Sequence, residues 1–220
     1  MMAMLQVKQI RVPVGQTVEL QDVEWQDFEA ILQELGEHRN TRIAYSDRIL
    51  SIVAPLPEHE VSKACIGDFV KILLDELEIP SVSFGSTTFK NENMEKAVEP
   101  DDCFYINNYR QVLGKRRIDL TVEPPPDLAV EIEVTSKTQL KAYQGLGVPE
   151  LWLYEAGRLR IDCLQDGQYV EVSESPSFPG WPIQQIIAQY VARAQVVDQG
   201  MARKEFRQWV VRKIAGDQDF

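Results

Sequence analysis

Apolar and polar residues alternate strictly along residues 128–135. Leu128, Val130, Ile132 and Val134 fall on one face, and Ala129, Glu131, Glu133 and Thr135 fall on the other. A period of two is that of a strand. Pro124-Pro125-Pro126 just ahead of it delivers the chain extended. Upstream, residues 5–20 read as one or two short strands with a turn at Val14-Gly15-Gln16. Asp22 to Gly36 reads as a helix, with Asp22 as its cap, Phe28, Ile31, Leu32 and Leu35 as its apolar stripe, and Gly36 as its stop. Arg42 to Val53 reads as a hairpin turning at Ser46-Asp47-Arg48, and His59 to Leu77 as a long helix carrying Ala64, Phe69, Ile72, Leu73 and Leu77. Val82 to Phe89 alternates as a strand. Cys103 to Ile106 is another strand, and Ile118 to Val122 is expected to return from a turn at Gly114-Lys115, making a hairpin.

After the carboxylate strand, Thr138 to Leu146 reads as a short helix ended by Gly147, with Thr135 and Ser136 as capping residues. Strands follow at 149–154, 158–163 and 169–172, with hairpin turns at Gly157 and at Asp166-Gly167. Ile183–Val197 and Met201–Ile214 are helical, and the last residues are expected to fray. Strands interleaved with helices give an α/β (α+β) class, a mixed sheet flanked by helices. No repeat and no long linker interrupts it. One domain is expected over residues 1–220, with a core at about 42–180, an N-terminal extension at 1–41 and C-terminal helices at 181–214.

Composition narrows the class. A hydrophobic fraction of 44%, with four Trp, eight Phe and seven Tyr, supplies a full core and excludes disorder. No apolar run has the length of a membrane span, and residues 1–10 lack the pattern of a secretory signal. Cys65, Cys103 and Cys163 are widely spaced, form no CxxC pair and read as small buried hydrophobes, so a cytoplasmic protein is expected. The net charge of −11 disfavours nucleic acid as a partner of the whole surface. The excess is local, however: seven acidic residues and no Lys or Arg lie between Glu19 and Glu37. Cations gather at Lys115-Arg116-Arg117 and at Arg203, Lys204, Arg207, Arg212 and Lys213, where the choice is between a nucleic-acid patch and a solvated turn or helix face.

The chemistry starts from the strand. Glu131 and Glu133, projecting from one face, repel one another and resist desolvation. A divalent cation removes both costs, and hard carboxylate oxygens suit Mg²⁺ or Mn²⁺. Three further stretches then matter: Tyr45-Ser-Asp-Arg-Ile-Leu-Ser-Ile-Val-Ala-Pro with His59-Glu60, Glu99-Pro-Asp-Asp-Cys-Phe-Tyr-Ile, and Gly147-Val-Pro-Glu-Leu-Trp. In that order, with Pro125-Pro-Asp-Leu-Ala-Val-Glu, they resemble the PD-(D/E)XK nuclease superfamily, and within it a bacterial group of restriction-endonuclease-like proteins. The resemblance spans about residues 45–179.

The resemblance implies a four-stranded mixed core sheet with a helix on each side. It implies that Asp101 and Glu131, with the carbonyl of Ile132, hold Mg²⁺, and that Glu60 is an added acidic residue of the first core helix. It also implies a DNA substrate, with structured RNA as another phosphodiester, and a homodimer. The superfamily's lysine, two residues after the acid, is here Glu133. The group's alternative lysine position, four residues before Tyr143, is here Gln139. Lys137 and Lys141 flank it and are the candidates for the lysine's role. Glu133 is a third ligand or an ion-pair partner of Lys137. Asp127 reads as a turn or cap residue, Asp102 as exposed, His59 as a helix-start residue and Trp152 as core. His38 has no role. Lys115, Arg116 and Arg117, at the expected hairpin tip, are candidates for phosphate contact. Two functions stay open: a Mg²⁺-dependent endonuclease, and a catalytically impaired nucleic-acid- or protein-binding module. A glycosidase use of the carboxylates lacks an aromatic sugar platform.

Overall fold

The computed structural model describes residues 10–36, 39–134 and 136–216, apart from the side chain of Glu58. Residues 5–9, His38, Thr135 and the end of the tail, all of which carried expectations, lie outside them.

Two sheets form. The first has five strands: β1 (Thr17–Leu20), β2 (Arg42–Ser46), β3 (Ile49–Val53), β5 (Phe89–Asn91) and β6 (Lys96–Val98), in the order β1-β3-β2-β6-β5. The second has six: β4 (Val82–Ser83), β7 (Asp102–Tyr105), β8 (Leu128–Ile132), β9 (Glu150–Glu155), β10 (Arg158–Gln165) and β11 (Gln168–Val172), in the order β11-β10-β9-β8-β7-β4. Among the described residues only the β8–β9 pair is parallel, and it is joined through helix α4 (Lys137–Leu146), a βαβ unit inside an otherwise antiparallel sheet. The β2–β3 hairpin turns through Asp47 and Arg48, both at positive φ, as a tight two-residue turn demands.

Alternation sorts the side chains into layers. Leu128, Val130 and Ile132 of β8, with Trp152 and Tyr154 of β9, pack against α2 (Pro57–Glu76), α5 (Ile183–Ala194) and α6 (Gln199–Ile214). Ala129, Leu151 and Leu153 face the other way, onto Ala142, Tyr143 and Leu146 of α4. Ala44 and Val98 of the first sheet also join this α4 cluster, so α4 lies between the sheets. Ile43, Tyr45 and Ile52 point away from it toward Trp25 and Phe28 of α1 (Trp25–Leu35). The closing helices α5 and α6 thus share the cluster of α2, and β1 from the N-terminal segment pairs with β3. All three cysteines are buried thiols.

Four expectations need correction. Asp22 does not cap α1: it sits at φ 56°, and the cap position belongs to Glu24. The segment 82–89 is not one strand but breaks into β4 and β5, which lie in different sheets. Ile118–Val122 is not a strand. After β7 the chain makes the short helix α3 (Tyr109–Val112) and a loop whose Ile118 and Leu120 are buried in the α4 cluster, so there is no hairpin tip. Last, the alternation of β8 stops at Glu133, which takes φ 58° while its N–H still bonds to Tyr154 O at 3.0 Å. That left-handed residue switches the faces: Val134 packs with the α4 cluster, not with Leu128 and Val130.

Candidate active site

Asp101 follows Pro100 at the approach to β7, the strand beside β8. One carboxylate oxygen accepts the Ile132 N–H at 2.8 Å, which ties the two strands together at their ends. Glu131, on the α4 face of β8, accepts the Tyr143 hydroxyl and also a hydrogen bond from Gln139. Gln139 and Tyr143 are four residues apart on α4 and therefore share a face. Ser136 sets the start of that helix by accepting the Gln139 N–H at 3.3 Å. Asp101 is 6% exposed and Glu131 3%.

Burial raises the Asp101 carboxyl above its ordinary range, against the opposing pull of the Ile132 N–H and of Arg42 and Lys63. Glu131 is raised further, first by burial and then by Asp101, with which it stands close enough to share a hydrogen bond. Two buried carboxyls that resist ionising side by side form a donor set with an unmet demand for positive charge. They open on a cavity of about 80 Å³ that Arg42, His59, Ile132, Glu133 and Gln139 also line. That is several times the ~10–15 Å³ one water requires. Among the described residues no group of three His, Cys, Asp or Glu forms a metal cage. Mg²⁺ asks for less: one or two carboxylates, with waters and substrate phosphate completing its shell. Asp101 and Glu131, with a backbone carbonyl such as that of Ile132, fit that requirement.

The other expected residues are placed as follows. Glu133 leaves the Glu131 face at its left-handed bend; it is 45% exposed and lies 2.9 Å from His59 Nε2 rather than against Lys137. His59 is itself buried at the start of α2 and lines the carboxylate pocket. Glu60 is exposed and reaches Arg42 and Lys63, both at 3.4 Å. Neither Lys137 nor Lys141 lines the pocket. Lys137 is exposed at the start of α4, beside a separate cleft bounded by Glu155 and Arg158. Lys141 pairs with Asp47 at 2.7 Å. Asp102, expected to be exposed, is buried; it accepts the Cys103 N–H at 2.8 Å and the Ser83 hydroxyl at 3.3 Å. Gly67 of α2 makes this possible, because a Cβ there would collide with the Asp102 carboxylate. Asp127 holds a turn, accepting the N–H groups of Ile106 and Asn108 at 2.7 and 3.0 Å. Trp152 is core.

Lys115 is salt-bridged to Glu123. Arg116 and Arg117 line a broad cleft of about 900 Å³ together with Arg39, Arg42 and Lys90, and with Glu99 and Glu29, which pair with Arg39 and Lys90. Arg42 belongs to both this cleft and the carboxylate pocket. No sequence signal singles out Arg42, because its position depends on how two sheets pack. The approach of Tyr143 and Gln139 to Glu131 was readable in principle from their helical spacing.

The family model described as "Uma2: Putative restriction endonuclease" matches residues 25–193, and the chain belongs to that family. Among solved structures it is similar to one described as a putative nuclease belonging to DUF820, from Anabaena variabilis. The identity is 14%, the TM-score 0.48, and the match covers 77% of this chain and 99% of that one. No curated protein matches. No helix among the described residues is long and apolar enough to cross a membrane.

Proposed function

We propose that the protein is a Mg²⁺- or Mn²⁺-dependent endonuclease that hydrolyses phosphodiester bonds of DNA. The observation that carries this reading is the buried pair Asp101 and Glu131, each with a raised pKa, opening on a pocket beside a cation-lined cleft. In a member of a restriction-endonuclease family, such a pair is suited to a metal ion. Asp101, Glu131 and the carbonyl of Ile132 would hold it. Held there, it would supply the positive charge that polarises a phosphate and acidifies a bound water. Tyr143 and Gln139 fix the orientation of Glu131, and the Ile132 N–H fixes Asp101. Glu133 lies beside His59 at the pocket wall, and Glu60 is in long contact with Arg42. Arg116 and Arg117, with Lys115 beside them, are the candidates for contact with phosphates outside the scissile one.

Two observations favour the second reading, a catalytically impaired binding module. Gln139 faces Glu131 from α4, and Lys141 is engaged by Asp47. Incubating supercoiled plasmid with the wild type, Asp101→Asn and Glu131→Gln, in Mn²⁺ or in chelator, separates the two. Metal-dependent cleavage lost in both variants supports the enzyme. DNA binding without cleavage supports the module.

A further inference from the structure

We propose that Arg42 contacts the scissile phosphate directly and carries the charge-neutralising role that no lysine fills here. The inference rests on the nuclease reading above. Among the described residues lining the carboxylate pocket, Arg42 is the one Arg or Lys. It stands at the start of β2, 21% exposed at its side chain, where the pocket meets the cation-lined cleft. Its Nε is buried and has no hydrogen-bond partner. Asp101 Oδ1 lies 4.0 Å from it, outside hydrogen-bonding distance. Its Nη2 makes a long 3.4 Å contact with the exposed Glu60 carboxylate. An arginine engaged in a bidentate pair satisfies its donors at short range, as Arg193 does on Glu205 at 2.8 and 2.9 Å. Arg42 instead leaves a donor unspent beside the two carboxylates.

The chemistry fits that unspent donor. Hydrolysis adds water across one P–O ester bond. The water oxygen bonds to phosphorus, and the bond to the leaving sugar oxygen breaks. One water proton passes to solvent, and the leaving oxygen is protonated. Negative charge builds on the non-bridging oxygens as this happens. Arg42 moves no proton. Its permanently charged, planar fork matches two phosphate oxygens, which an ammonium does only as a point charge.

The test compares the wild type with Arg42→Gln, Arg42→Lys, the double variant Arg42→Gln with Gln139→Lys, and Arg203→Gln as a charge-matched control distant in sequence. Plasmid cleavage in Mn²⁺ is measured at single turnover. Affinity for duplex DNA is measured in chelator across a salt series, and melting curves verify folding. Arg42→Gln is expected to lose about 100-fold or more in cleavage, the scale of removing one preorganised charge-stabilising donor. Its salt slope should fall by about one. Arg42→Lys should be intermediate, the double variant should recover part of the rate, and Arg203→Gln should match the wild type. An unchanged salt slope in Arg42→Gln, or wild-type cleavage by it, would overturn the assignment. A wild type that never cleaves would defeat the nuclease reading instead, while the salt series would still decide whether Arg42 meets phosphate.

Discussion

At Glu131, burial and the neighbouring Asp101 carboxylate act in the same direction, and both hold back ionisation. Asp101 is raised by its own burial. For an acid whose folded pKa lies above its unfolded value, the folded state is penalised once the group must ionise. The penalty is absent below the ordinary carboxylate range and grows as pH rises through that range toward the folded values. The metal-free protein should therefore melt higher near pH 5 than near pH 8, and Glu131→Gln should raise its melting temperature at pH 8 by several degrees. Thermal melts in chelator at the two pH values test this; equal shifts at both would contradict it. Asp47 behaves oppositely. Hydrogen bonds from Lys141 and Lys96 lower it to about 2. Its contribution is complete above the ordinary carboxylate range and fades as pH falls toward that value. Because the pair is exposed, Asp47→Asn should cost under ~1 kcal/mol at pH 7 in a denaturant titration, and the difference should narrow on acidification.

Among the elements, β8 was the most legible and also the most misleading. Alternation correctly assigned Leu128, Val130 and Ile132 to one face and Ala129 and Glu131 to the other. It could not foresee φ 58° at Glu133, because hydrophobicity carries no signal for a left-handed residue, and the pairing of Glu133 with Glu131 was lost there. The helices α2 and α4 were read from periodicity to within two residues at each end, and Gly147 stops α4 at φ 77° as expected. Asp102 was misjudged because its burial depends on a gap in another element, at Gly67. Gly67→Ala should push a methyl group into that short, hydrogen-bonded carboxylate and destabilise the fold by about 1–3 kcal/mol. Denaturant unfolding checks the value, and an unchanged midpoint would mean that α2 moves freely over β7.

Across the whole molecule, an acidic balance coexists with two gatherings of cations, each set beside acids of other elements. On α6, Arg203 bonds to Asp68 at 2.6 Å and Arg207 to Glu76, both on α2, so this part of the C-terminal basic group holds helices together. A second group, Arg39, Arg42, Arg116 and Arg117, borders the cleft beside the carboxylate pocket, where Arg39 pairs with Glu99 and Lys90 with Glu29. Charge counting along the chain could not separate these two groups, because only the fold shows which cations face acids across a helix interface. Replacing Lys115, Arg116 and Arg117 with Ala should weaken DNA binding and flatten its salt dependence by up to about three units of slope. Replacing Arg203 and Arg207 should leave that slope in place and lower the melting temperature instead. On the proposed function, Asp101 and Glu131 together would hold a divalent ion. Calorimetric titration of Mn²⁺ into the wild type, Asp101→Asn and Glu131→Gln tests it most directly, without a nucleic-acid substrate. One saturable site is expected in the wild type, and either substitution should weaken it at least tenfold. Equal binding by all three proteins, or none by the wild type, would contradict it.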